Sequence, residues 1–339
     1  MYPAGHITLR GMRTPGLFDL QINGYAGIDF NDAALTADAL DHALQAMLRA
    51  GVTQCLPTLI TAPETALADR LAAIDAAVAH SRLGPAMVLG YHLEGPFLNP
   101  APGFHGCHPR EAMVPPDPAL LERVTAGLRR PVRLLTLAVE REGAERVIAW
   151  AAARGIVVAI GHADAGRDAV ARAVSAGARL STHLGNGLPA MLPKLDNPLI
   201  AQLAEDRLSA GFIADGVHVP VPALKVMLRA KGWARSILVT DAVAAASAPP
   251  GHYRFAGMSI VGAEDGSVRN EAGALAGSSL RLDQAVGNLV RWGLCDLAQA
   301  VALASDNPAR LLGAAPIGTV DWTSAGTVQS CRLGDVLAA

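Results

Sequence analysis

AMVLGYHLEGPFLNP (86–100) reads as an apolar strand that ends on Glu94 and turns at once through Gly-Pro into a loop. Three other stretches are built alike: IVVAIGH (156–162) ends on His162, ARLSTH (178–183) on His183 and RSILVTD (235–241) on Asp241. Working outward, four more runs have strand character: LFDLQIN (17–23), VTQCLPTLI (52–60), VRLLTLAVE (132–140) and LSAGFIAD (208–215). Between most of the eight lie helical patterns, at 36–51 with Thr36 placed as N-cap, and at 64–80, 143–155, 166–177 and 221–232. Strand and helix alternating in this way predict an α/β chain folded as a (β/α)8 TIM barrel. The competing architecture is an open doubly wound sheet, which the absence of a GxGxxG after the first strand disfavours.

Beyond the eighth strand the pattern changes. Residues 252–277 read as a β-hairpin excursion, 278–293 and 296–313 as two closing helices, and 314–339 as a tail, poorly packed or a short edge strand. The 339 residues are 51% hydrophobic and 17% charged, which suits one large domain with a sizeable core. No apolar run is long enough to span a bilayer. A net charge of −2 gives no reason to expect nucleic acid or an anionic membrane as partner. The first residues, MYPAGHITLRGMRTPG, have no apolar signal core. Cys55, Cys107, Cys295 and Cys331 are scattered without a CxxC, as reduced cytoplasmic thiols are.

In a barrel, strand C-termini converge on one face, so Glu94, His162, His183 and Asp241 meet although far apart in sequence. One carboxylate and two imidazoles suit Zn2+ best and also accommodate Fe2+, Co2+ or Mn2+. Three protein ligands leave a position open for water, and a nearby carboxylate such as Asp241 is placed to take a proton and return it to a leaving amine. That is the logic of amide hydrolysis. The structural alternative for each residue is ordinary: a hydrogen-bonded core histidine, or Asp241 as a helix cap. Glu94 resists that alternative, because a carboxylate buried at the end of an apolar strand needs a cation or strong donors.

With those residues in hand, the chain resembles the N-acetylglucosamine-6-phosphate deacetylases of the amidohydrolase superfamily. The resemblance runs from PGLFDLQINGYAGIDFND (15–32) to about Gly313 and rests on HLEGPF, GHA, THLGNG, ADGVHV (214–219), LVTDA (238–242) and LAGSSL (275–280). It implies a metal-dependent hydrolase barrel over 15–313. It also implies one divalent metal on Glu94, His162 and His183, with Asp241 as general base and acid. Gly103-Phe104-His105, with His108 nearby, would supply a histidine that polarises the acetyl carbonyl. Asn186, Gly187 and His218 would bind the sugar phosphate. Members carrying a His-x-His at the end of the first strand hold a second metal there. Gln21-Ile22-Asn23 stands in its place, so a single metal is expected, with Gln21 and Asn23 hydrogen-bonded to Asp241 or to water. Lys194 falls where the family has an arginine that reaches across a homodimer to the phosphate. A lysine binds phosphate as a point charge and lacks the bidentate fork. The family's small β-sandwich would be reduced to a remnant at 1–14 and the tail at 314–339. Deacetylation of another N-acyl amino sugar, a non-catalytic sugar-phosphate-binding relative and a sugar-phosphate isomerase are the alternatives.

Overall fold

The structure, a computed structural model, describes residues 11–338; residues 1–10, most of the segment expected as a sandwich remnant, lie outside the described residues. Eight parallel strands follow one another around a barrel in chain order. They are β1 (Leu17–Ile22), β2 (Val52–Ile60), β3 (Tyr91–Glu94), β4 (Val132–Leu137), β5 (Val157–Ile160), β6 (Ala178–Ser181), β7 (Ser209–Phe212) and β8 (Ser236–Leu238). Every residue of β1, β2 and β3 is buried, because helices cover the outside while side chains fill the inside.

The barrel closes between β1 and the segment after β8. Asp241 N–H donates to the Gln21 carbonyl (2.9 Å) and Asn23 N–H to the Ala242 carbonyl (2.7 Å). Asp19 reinforces this seam. Its buried carboxylate accepts from the Thr240 hydroxyl (2.6 Å), the Thr240 N–H (3.3 Å) and the Gln21 N–H (3.2 Å). Burial pushes the Asp19 carboxyl up to about 7, against the pull of those hydrogen bonds.

The helices expected from the apolar periodicity form at Ala37–Arg49, Glu64–His80, Ala144–Ala153, Arg167–Ala176 and Val221–Lys231. Thr36 caps the first, its hydroxyl accepting from Ala39 N–H (3.2 Å). Two further helices, Pro118–Val124 and Pro198–Ala204, complete the outer layer; seven residues are too short to show a period, and only their Asp117-Pro118 and Asn197-Pro198 starts mark them in sequence. The run 86–90 is not strand: Gly84–Met87 is a helical turn and β3 begins at Tyr91. The closing helix at 296–313 is broken at Ser305 into Leu297–Ala304 and Asp306–Leu311, where the serine hydroxyl donates to the Gly16 carbonyl (2.7 Å).

The tail is not poorly packed. Thr319–Trp322, Val328–Leu333 and Val336–Ala338 form a four-stranded antiparallel sheet with Met12–Pro15. Trp322 is fully buried in it and its indole N–H donates to the Thr14 hydroxyl (2.8 Å). The excursion after β8 is a three-stranded antiparallel sheet, Gly251–Phe255, Met258–Gly262 and Val268–Asn270. No helix among the described residues is long and apolar enough to cross a membrane.

Replacing Asp19 by alanine orphans three buried donors at the barrel seam. The Asp19→Ala protein should lose about 3 kcal/mol of unfolding free energy in urea; a loss below about 1 kcal/mol would show that the seam does not depend on this carboxylate.

Candidate active site

Glu94 is the last residue of β3, and His162, His183 and Asp241 follow β5, β6 and β8 by two or three residues. His162 (φ 53°), His183 (φ 24°) and Asp241 (φ 51°) all have left-handed backbone conformations. Such conformations cost about 1–3 kcal/mol each for residues with a Cβ and gather at functional sites. They swing the three side chains over the barrel mouth.

The donor atoms of Glu94, His162 and His183 lie within 4.8 Å of one another, and all three residues are buried. Glu94 Oε1 is 3.0 Å from His183 Nε2 and 3.4 Å from His162 Nε2. Tetrahedral zinc with bonds near 2.0 Å holds its ligands about 3.3 Å apart, so the spacing fits. His162 Nδ1–H donates to the Phe104 carbonyl (2.7 Å), which turns the Nε2 lone pair towards Glu94. Burial opposes the Glu94 carboxylate, but the His162 and His183 contacts outweigh it and hold its carboxyl well below the usual range. Burial likewise opposes charge on His183, and its bond to Glu94 reverses that and raises its pKa. Both shifts come from the same close contact between the carboxylate and the two imidazoles.

Gln21 and Asn23 both reach the Asp241 carboxylate. Gln21 Nε2 donates to Glu94 Oε1 (3.0 Å) and to Asp241 Oδ1 (3.3 Å), and Asn23 Nδ2 donates to Asp241 Oδ1 (2.7 Å). Both amides grip the same oxygen and neither engages Oδ2. The Gln21 amide also turns N–H groups, not lone pairs, towards both carboxylates. Burial, and then the Glu94 charge, push the Asp241 carboxyl up to about 6, against the pull of His183 and Asn23.

A cavity of about 260 Å3 opens over this cluster and is lined by Asn186, Gly187 and His218 as well as by Glu94, His162, His183 and Asp241. His218 Nδ1–H donates to Asp215 (2.5 Å), fixing its ring. Asn186 donates to the His183 carbonyl (3.0 Å). Two expected residues are elsewhere. His105 does not line the cavity; His108, three residues on, does, with Nε2 3.8 Å from Glu94 Oε2 and Nδ1 3.1 Å from the Thr61 hydroxyl. The chain passes Glu94 in a loop that turns twice through left-handed glycines, Gly103 and Gly106, so counting residues from HLEGP does not identify which histidine faces in. Lys194 is exposed and does not line the cavity. Missed in the sequence were Thr61, Cys107 and Phe255, which carry no motif of their own, and the carbonyl of Phe104. A larger cavity of about 940 Å3, reaching from Asp215 to Thr327, contains none of the three donor residues.

Comparison with known proteins agrees with this geometry. The profile described as Amidohydrolase family matches residues 12–322. The chain belongs to the amidohydrolase family. It is 36% identical over 300 residues to N-acetylgalactosamine-6-phosphate deacetylase of Escherichia coli O157:H7, covering 88% of this chain and 78% of that protein. It is 34% identical over 299 residues to N-acetylglucosamine-6-phosphate deacetylase of Vibrio furnissii, covering 88% and 73%. Among solved structures, N-acetyl-D-glucosamine-6-phosphate deacetylase of Mycobacterium smegmatis superposes with a TM-score of 0.88 at 28% identity, covering 100% of this chain and 91% of the other. A mutant of the same enzyme in complex with N-acetyl-D-glucosamine-6-phosphate superposes with a TM-score of 0.87 at 29% identity, covering 96% and 87%. The amidohydrolase chain described here is thus a metal-dependent hydrolase whose donor cluster stands at the mouth of a TIM barrel.

Gly187 has φ 62°, and a Cβ there would stand 2.7 Å from His162 Nδ1. Gly187→Ala should therefore displace the imidazole and weaken metal retention about 10- to 100-fold in competition with a chelator; unchanged retention would show that the ring is not held by this contact.

Proposed function

We propose that this chain hydrolyses the acetamide of N-acetylglucosamine 6-phosphate, giving glucosamine 6-phosphate and acetate. The observation that carries the reading is the pairing of a Glu94, His162, His183 donor cluster with an Asp241 carboxylate clamped at one oxygen and open at the other. One divalent metal, zinc by its fit to one carboxylate and two imidazoles, would be held by that cluster, and when bound it supplies polarisation of the acetyl carbonyl and acidification of the attacking water. The chain's own residues do the rest. Asp241 Oδ2 takes the proton of the water as it attacks and delivers it to the departing nitrogen. Burial favours the neutral carboxyl while His183 and Asn23 favour the carboxylate, so the group sits between the two states that the task requires. Gln21 and Asn23 keep the carboxylate from rotating away. His108 takes the substrate-contacting part first assigned to His105. Asn186, the Gly187 N–H and His218 receive the sugar.

The chain acts as a homodimer in the cytoplasm on this reading. Lys194 shares its loop with Met191 and Leu195, which are 87% and 77% exposed, as a surface covered by a second copy would be. All four cysteines are free, as in a reducing compartment.

The galacto epimer is a second reading, favoured by the 36% identity to a deacetylase of that sugar phosphate. An acetate-release assay on both 6-phosphorylated epimers beside their unphosphorylated forms decides. Turnover of the gluco phosphate at least tenfold above the others is expected, and no acetate from any of them removes the reading. Asp241→Asn should keep its metal and lose at least about a thousandfold in kcat; near wild-type turnover would overturn the proton-transfer role. Elemental analysis should find one metal per chain, and two tightly held ions would contradict the part given to Gln21 and Asn23.

A further inference from the structure

The cavity over the donor cluster has two unlike flanks. One is made of Gly185, Asn186, Gly187, Leu188 and His218, with backbone N–H groups, an amide and an imidazole to offer. The other is made of Ile60, Cys107 and Phe255, which offer hydrocarbon and one thiol. An N-acyl amino sugar has the same division. On one side of its amide carbon is a nitrogen bearing a polar ring, and on the other an alkyl group with no hydrogen-bonding capacity. Placing the alkyl group among the donors would strand them, and placing the ring against Ile60 and Phe255 would strand its hydroxyls, at about 1–3 kcal/mol for each buried polar group left unpaired.

We propose that Ile60, Cys107 and Phe255 form the acyl pocket, and that this pocket restricts the enzyme to short N-acyl groups, acetyl above all. The inference rests on the N-acyl amino-sugar hydrolase reading given above.

The position is right for it. Ile60 is the last residue of β2 and stands opposite Glu94 in the parallel register, so the apolar flank starts beside the carboxylate of the donor cluster. The pocket is also held rigidly. Ile60 and Phe255 are 1% and 2% exposed and belong to a small core of their own with Val243, Ala245, Ile260 and Val268, against which Cys107 packs. That core joins the sheet at 251–270 to the barrel, so the excursion brings Phe255 to the site. The tip next to Phe255 is latched from outside the cavity. Ala256 N–H donates to Asp29 Oδ2 (2.6 Å), and its carbonyl accepts from Arg70 Nη2 (3.1 Å). With its neighbour fixed at both backbone groups, Phe255 cannot recede to admit a longer chain, and close-packed interiors yield little to an added methylene.

The test compares kcat/KM for N-formyl, N-acetyl, N-propanoyl and N-butanoyl glucosamine 6-phosphate, read as free amine released. Wild type should prefer acetyl to propanoyl by at least about tenfold, the discrimination one methylene gives in an apolar pocket. Phe255→Ala should raise the propanoyl-to-acetyl ratio by about tenfold or more. Cys107→Leu, which adds bulk to the same apolar lining, should move selectivity the other way, towards formyl. Should Phe255→Ala fail to fold by circular dichroism, Phe255→Leu and Cys107→Leu carry the test. Ratios within twofold of wild type in folded variants that still release amine from the acetyl substrate would overturn the pocket and leave the hydrolase reading standing. A wild-type protein inert on all four substrates would remove the hydrolase reading and the pocket with it.

Discussion

The site depends on one costly choice, a carboxylate buried at the end of a barrel strand and paired with no arginine or lysine among the described residues. Glu94 is 2% exposed, and among the described residues its ion-pair partners are His108, His162 and His183. Burying an uncompensated charge costs several kcal/mol even after relaxation. Imidazoles compensate only by sharing a proton, and a divalent cation compensates better. The layer beneath shows how the rest of the barrel accommodates this. His92, two residues before Glu94, lies between the hydroxyls of Thr58 (3.2 Å) and Thr136 (2.8 Å), and Thr136 bonds on to Thr182 (2.7 Å). Burial keeps His92 neutral, with its pKa down to about 4. A satisfied polar layer, with His92 uncharged at its centre, thus supports the charged one.

The backbone supports the same centre. A left-handed residue is unfavourable unless its surroundings fix it, and each of the three is held by a backbone hydrogen bond at or beside it, two to a neighbouring strand and one to the loop after Glu94. Asp241 N–H reaches the Gln21 carbonyl (2.9 Å), the His162 carbonyl accepts from Asn99 N–H (3.0 Å), and the residue after His183 donates to the Gly211 carbonyl (2.8 Å). Backbone pairing with neighbouring strands holds the turns at His183 and Asp241, and the loop after Glu94 holds the one at His162. Gly106 and Gly187 leave room for the His162 ring, since a Cβ on either would stand within 3.0 Å of it. The barrel and the site are consequently one construction, and the seam at Asp19 and Thr240 serves both.

How far this was legible in the sequence follows from which parts have a local signal. Strand ends that finish on a ligand, alternating with capped amphipathic helices, carry period, punctuation and chemistry together, and they placed the barrel, Glu94, His162, His183 and Asp241. Gln21 and Asn23 were legible by substitution of neutral amides at a position where imidazoles would ligate. The parts that were not legible are those set by three-dimensional packing. His105 and His108 are equally polar in sequence, and only the fold of the loop turns the second towards Glu94. The seven-residue helices after Asp117 and Asn197 are too short for a period. The tail has weak alternation, yet it packs, because Trp322 and Cys331 find an apolar seat against the barrel and Met12–Pro15 supplies the missing edge.

The two halves of the substrate site are built from different material. The metal end uses residues fixed at strand termini, buried and cross-braced. The end proposed for the sugar has Asn186, Gly187 and His218, carried on loops, and among the described residues no lysine or arginine lines the cavity there. Loop residues change at little cost to a barrel, whereas strand-end residues in left-handed turns do not. An anionic group on the sugar must then be met by N–H dipoles and an imidazole, or by charge brought from beyond the cavity, and each of these is open to adjustment without disturbing Glu94. The architecture thus ties the amide chemistry to the barrel strands and leaves the proposed sugar contacts on loops that can change without it.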